Sequence, residues 1–259
     1  MGLRRFTQNV LRGFGVGKSS FEVNISVEAD HLVEELAKNK GEGLDPQHLF
    51  TNAVSNVICT LVFGKRFQYD DPSFQQLLQV LSDNFTSSGS GIMLEFLPIF
   101  AKLQMLPFVR VYVDTMRKFH QHIRQLLGQH DHETDENNPR DLIDIFLNEM
   151  KLIEEKGGNS PALRPGNLPR LVADLFAAGT ETTATTLRWA MLYMMAYPDV
   201  QARVQRELDG VTARNRFPRI SDKPCLPYTE AVLSEIQRMQ TLVPLALPHH
   251  CSEDTTING

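Results

Sequence analysis

Across residues 167–196 the apolar pattern never breaks. Leu168, Leu171, Val172, Leu175 and Phe176, then Ala184, Leu187 and Met191, return at helical spacing and not at the alternation of a strand. Average helices run about 11–12 residues, so this is a helix of unusual length and the chain is a helical protein first. Inside it stands Ala177-Ala178-Gly179-Thr180-Glu181-Thr182-Thr183. Glycine costs about 1 kcal/mol in a helix interior, and β-branched threonine is also disfavoured. Threonine hydroxyls can bond back to the i−4 carbonyl and bend a helix. The segment therefore reads either as a tolerated kink or as an opening where a small ligand approaches backbone, with a hydroxyl and a carboxylate ready to relay protons.

The rest of the chain follows the same period. Helices are predicted over residues 1–13, from Ser19 or Ser20 to 40, 46–64, 72–85, 107–129, 141–150, 198–210 and 227–241, with Pro46 tolerated at a helix start. The stripe of Leu49, Phe50, Ala53, Val54, Val57, Ile58, Leu61 and Val62 is wide, which predicts a central helix. Residues 86–91, rich in Ser and Gly, read as a break, and 96–108, apolar and proline-punctuated, as a surface loop or short helices. The tail from Val243 carries Pro244, Pro248 and Thr255-Thr256-Ile257, and reads as the first strand of a hairpin.

Composition narrows the function. Lys and Arg total 26 against 31 Asp and Glu, a net charge of −5, which disfavours non-specific nucleic-acid binding. Three cysteines in 259 residues are too few for a disulfide-stapled scaffold. No apolar run reaches the roughly 18 residues of a membrane span, so the chain as written is expected to be soluble or peripheral. Gly13-Phe14-Gly15-Val16-Gly17-Lys18-Ser19 leaves one residue too few for a phosphate loop and follows a helix, so it reads as a helix-ending turn. His120, His122, His130, His132, His249 and His250 lack zinc-site spacing and are predicted to be solvated surface side chains. No nucleophile elbow is present.

Glu235-Ile236-Gln237-Arg238 places two opposite charges on one helix face. Alone the pair is common, but its place after the threonine cluster is specific. Together with Leu3-Arg4-Arg5-Phe6, Asn52-Ala53-Val54-Ser55-Asn56-Val57-Ile58-Cys59, Phe63-Gly64-Lys65-Arg66-Phe67 and Pro227-Tyr228-Thr229-Glu230-Ala231, these segments resemble a cytochrome P-450, a haem-thiolate monooxygenase of microsomal family 2, nearest the U-type enzymes.

That resemblance implies a mainly α fold with a long central helix over the haem and a small β stub at the C-terminal end. It implies that Thr182 and Glu181 deliver protons, that Ala178 and Gly179 form the kink over the haem, and that Arg4 and His249 contact its propionates. Phe176, Ala177, Val243 and Leu245 fall where such proteins line a substrate pocket. Glu235 and Arg238 match a buried structural pair. A lipophilic substrate, an NADPH-cytochrome P-450 reductase and the endoplasmic reticulum membrane follow as expected partners and place, with no nucleic acid. The resemblance also implies a Phe-x-x-Gly-x-Arg-x-Cys-x-Gly loop, which Cys59, Cys225 and Cys251 do not fit. The axial thiolate drives O–O cleavage, so the 259 residues as written are expected to be a single domain truncated at both ends, with neither membrane anchor nor metal ligand, and inactive on their own. A catalytically dead binding or decoy product and an unrelated all-helical interaction protein are the alternatives.

Overall fold

The computed structural model describes residues 2–16, 19–96, 107–130 and 139–244, with positions 246, 251, 253, 254 and 256. Among them the chain forms α1 (Leu3–Gly13), α2 (Ser19–Ala37), α3 (Gln47–Phe63), α4 (Pro72–Phe96), α5 (Pro107–Gly128), α6 (Leu142–Glu155), α7 (Leu168–Ala196), α8 (Pro198–Thr212) and α9 (Pro227–Met239). Short 3-10 turns precede α7 (Pro165–Asn167) and α9 (Ile220–Cys225). The fold is mainly α, and no strand occurs among the described residues. Most of the predicted hairpin strand lies outside them. No helix of the described residues is long and apolar enough to cross a membrane.

The helices start and stop for local reasons. Asp45 accepts the Gln47 N–H at 2.9 Å at the start of α3. Gly64 ends α3 at φ 65°, in the left-handed region that favours glycine. A side chain there would also press on Asp141, whose Oδ2 lies 3.1 Å from where a Cβ would stand. Asp141 in turn caps α6, accepting the Asp144 N–H at 2.9 Å.

One core holds the centre together. Val62 of α3, Leu77 and Leu81 of α4, Phe119 and Ile123 of α5, Phe146 of α6, and Val172 and Phe176 of α7 are all buried in it. Phe6 of α1 meets Phe146 edge to face at 5.5 Å. The main helix contacts are α3 on α7, α4 on α5, α2 on α3 and α5 on α7. The wide stripe of α3 is central, as its pattern predicts.

Two expectations fail. The predicted break at 86–91 is absent, and α4 continues to Phe96. Its hydroxyls support the helix rather than end it: Thr86 donates to the Ser82 carbonyl at 3.0 Å, and buried Ser87 to that of Asn84 at 3.0 Å. Ser87 also shares a 2.8 Å hydrogen bond with Thr115 of α5. Packing against α5 thus overrides weak local propensity.

The histidines are not all solvated. His122 is buried with its ring nitrogen 3.2 Å from the Ser73 carbonyl. His130 is also largely buried and sits 2.7 Å from Asp141 Oδ2. Polar partners supplied by other elements offset the cost of that burial, and spacing alone cannot show them. His132, His249 and His250 lie outside the described residues.

Candidate functional site on helix α7

The face of α7 turned to the core carries Leu168, Leu171, Val172, Ala173, Phe176, Thr180 and Ala184, all buried. On the other side Asp174, Ala178 and Thr182 stand one turn apart and are exposed. The open face is therefore small and mixed, with a methyl, a hydroxyl and a carboxylate in a row.

Gly179 is a helix-crossing residue. A methyl group added there would meet Ile58 Cδ1 of α3 at 2.7 Å. Beside it the buried Ser55 hydroxyl donates to Thr180 Oγ1 at 3.2 Å. The glycine lets α3 approach, and α-helical structure runs through it unbroken. The packing of α3 offsets its conformational cost, so the expected opening for a ligand at this residue is not what the glycine provides.

The threonines bond backwards. Thr182 Oγ1 donates to the Ala178 carbonyl at 2.7 Å, and Thr186 Oγ1 to that of Thr182 at 2.8 Å. Thr185 Oγ1 donates to Glu181 Oε1 at 3.3 Å. Thr182 thus keeps its oxygen lone pairs available on the exposed side while its proton rests on a carbonyl. Glu181, half-buried, points elsewhere, because neighbouring residues diverge by about 100° around a helix.

Other residues singled out by sequence are scattered. Phe176 packs inside the core against Phe63 at 5.8 Å, and Ala177 leans on the same core. Phe176 faces α3, and Ala177, about 100° further round the helix, is half-buried against the same core. Arg4 is exposed on the side of α1 away from Phe6 and Val10. Val243 is exposed beyond α9. Leu245 and His249 lie outside the described residues. Glu235 and Arg238 do pair, through Nε–Oε2 at 2.7 Å and Nη2–Oε1 at 2.6 Å. Their side chains are 53% and 71% exposed, so the burial implied by the resemblance is not found. Lying i,i+3 on a solvent face, they satisfy each other without it.

For a haem, these residues fit one side only. The open face of Ala178 and Thr182 can wall a flat apolar group. The axial thiolate is another matter. Cys59 is sealed in the core, and burial pushes its thiol well above the usual range, so it stays protonated. Cys225 and Cys251 are exposed, and the turn holding Cys225 packs on α2 and α9. Among the described residues, His130, Asp141 and Asp144 are the one group whose ligand atoms could surround an ion, all within 4.8 Å of one another. Arg140 already holds both oxygens of Asp144, at 2.8 and 3.2 Å, and the Asp141 oxygens serve as helix cap and histidine partner. Burial pushes the Asp144 carboxyl up, but the Arg140 hydrogen bonds and charge outweigh it and leave it below the ordinary range. That network is structural.

Residues 1–259 match the sequence profile described as Cytochrome P450. Cytochrome P450 2B4 of Oryctolagus cuniculus is 42% identical over 259 residues, covering 99% of this chain and 52% of that protein. Cytochrome P450 2J2 of Homo sapiens is 38% identical over 258 residues, or 99% and 51%. Cytochrome P450 2C23 of Rattus norvegicus is 42% identical over 258 residues, or 98% and 51%. The chain spans about half the length of these curated relatives. With the whole of its sequence matched and its helix α7 carrying the expected threonine cluster, the chain belongs to microsomal family 2 of the cytochromes P450.

Proposed function

We propose that the whole protein is a haem-dependent monooxygenase that hydroxylates a lipophilic molecule such as a fatty acid, a steroid or a foreign compound. The balance is substrate plus dioxygen, two electrons and two protons, giving the alcohol and water. Electrons would come from an NADPH-cytochrome P-450 reductase at the endoplasmic reticulum membrane. Haem, when bound, supplies dioxygen activation. The residues of this chain supply the wall and the protons. Ala178 keeps that wall low enough for a flat ring system to approach. Thr182, whose proton rests on the Ala178 carbonyl at 2.7 Å, can turn that proton to an incoming acceptor and take another on its free lone pairs. Glu181, its neighbour along the chain, is the acid that would refill it. The observation that carries the reading is Thr182, exposed on the open face of α7 and bonded back to Ala178.

The test is spectroscopic first. The full-length product of the gene, reduced under carbon monoxide, should show the red-shifted Soret band of a haem-thiolate. Thr182→Ala should keep that band and electron consumption while product formation falls by roughly 10²-fold, the scale of one positioned proton donor. A full-length product without the band would overturn the reading.

One observation favours a second reading for the 259 residues alone. Cys59 is sealed in the core and does not serve as the axial thiolate. Cys225 and Cys251 do not fit the ligand loop that the resemblance implies either, so we infer that this chain taken by itself is catalytically inactive, and purified alone with haem it should show no haem-thiolate band.

A further inference from the structure

Glu181 and Thr182 do not share a face. Glu181 instead lines a cleft between α3 and α4, together with His48, Thr51, Gln75, Gln79 and Ser82. The cleft has a volume of about 70 Å³, room for a few water molecules where one needs roughly 10–15 Å³. Leu78 and Leu81 complete its wall, and the polar side chains offer the partners to hold them. His48 is exposed and Glu181 half-buried, so the cleft leads from solvent to the carboxylate. Several of its polar groups are fixed. Gln75 donates to Asn52 Oδ1 at 3.1 Å, Gln79 to Asp83 Oδ1 at 2.9 Å, and Thr185 to Glu181 Oε1 at 3.3 Å.

We propose that this cleft is a proton inlet, with His48 as its outer relay and Glu181 as its inner end. A solvent proton is taken up by the His48 imidazole and passes through waters held by Thr51, Gln75, Gln79 and Ser82 to the Glu181 carboxylate. Glu181 gives its proton up towards Thr182 and returns to the carboxylate, ready for the next. His48 is reprotonated by solvent, so each cycle moves one proton and consumes nothing else. The other carboxylates beside the lining are Asp45, which caps Gln47, and Asp83, held by Gln79. Both are exposed. His48 acts through Glu181 and touches no substrate, so it is a positioning residue. The use of the proton rests on the monooxygenase reading above; the hydration of the cleft does not.

The experiment uses the full-length enzyme with His48→Phe, His48→Gln and Gln79→Leu, each checked for an unchanged melting midpoint. His48→Phe and Gln79→Leu should raise the peroxide-to-product ratio by about tenfold, less than the roughly 10²–10⁴-fold of a donor at the reacting atoms. They should also enlarge the solvent deuterium isotope effect on product formation, with KM unchanged. His48→Gln, which still holds water at the mouth, should recover most of the loss. A readout free of turnover is the set of long-lived water contacts to the Gln75 and Gln79 side-chain amides by NMR, which Ser82→Leu should abolish. A parent enzyme with no haem-thiolate band would sink the monooxygenase reading, while water contacts seen in it would still uphold the hydrated cleft. A normal band with unchanged peroxide ratio and isotope effect in His48→Phe and Gln79→Leu would sink the inlet alone.

Discussion

The two halves of α7 are made of similar residues and live in different surroundings. From Leu168 to Ala184 the large apolar side chains are buried or half-buried, chiefly against α3 and α5. From Leu187 to Met195 they face outward: Leu187, Met191, Leu192 and Met195 are all exposed. There, among the described residues, α8 and α9 pack on one side of α7 and leave an apolar groove of about 330 Å³ lined by Tyr193, Tyr197, Ile236 and Met239 among others. Apolar periodicity therefore shows that a helix forms, while its neighbours decide how much of that helix is core.

The sharpest way to break this comparison is one truncation in each half. Phe176 is fully buried against Phe63, and Met195 is 62% exposed. Phe176→Ala removes a ring from a closed core and should cost about 4 kcal/mol. Met195→Ala removes a side chain that is already wet and should move stability by no more than about 0.5 kcal/mol. Urea midpoints of the two variants check this. Equal losses would mean that the outer half is as tightly covered as the inner one.

Gly179 sharpens the contrast within the inner half. Its would-be Cβ lies 2.7 Å from Ile58 Cδ1 and 3.2 Å from Cγ1. Alanine gains about 1 kcal/mol of helix propensity and can push the tip of Ile58 aside, so Gly179→Ala should be near neutral. Valine needs a larger displacement, and Gly179→Val should cost about 2 kcal/mol by overpacking. Adding Ile58→Val, which removes Cδ1, should recover about half. A strictly additive double variant would show that the glycine is not there for the α3 crossing.

Much of this was legible in the sequence. The helical period, the proline at helix starts and the wide stripe of α3 gave the element order and placed α3 at the centre. The threonine cluster singled out the middle of α7 as either a tolerated kink or a ligand opening. What it could not show is what lies opposite. The Ser- and Gly-rich run at 86–91 resembles a break, yet Ser87 finds Thr115 across the α4–α5 contact. Gly179 resembles a ligand opening, yet Ile58 fills that space. His48 lies in the first turn of α3 with no motif or spacing to mark it, and its relation to Glu181 exists only once α3 and α7 are packed together. Patterns along the chain report a residue's own face, and partners more than a hundred residues away are a product of the fold.

Of the two helices packed beside the outer half of α7, α9 is the one that acid should loosen. Leu226, at the start of α9, offers no side-chain cap. Glu207 of α8 takes that role, accepting the Tyr228 N–H at 2.9 Å, the Thr229 N–H at 2.7 Å and the Thr229 hydroxyl at 2.6 Å. Desolvation pushes the Glu207 carboxyl up, but these hydrogen bonds and the Arg203 charge outweigh it and hold it below the ordinary range. A carboxylate depressed in the folded state stabilises above its unfolded pKa, and that contribution fades as pH falls through the folded value. Amide exchange in α9, corrected for intrinsic rates, should therefore speed up as pH drops from about 5 to about 3, the range that brackets ordinary and depressed carboxylates. Exchange in α3, whose crossing with α7 rests on Ile58, Gly179 and a hydroxyl pair, should not follow. Glu207→Gln should raise α9 exchange at neutral pH and remove its acid dependence; if the dependence survives, some other carboxylate ties α9 down.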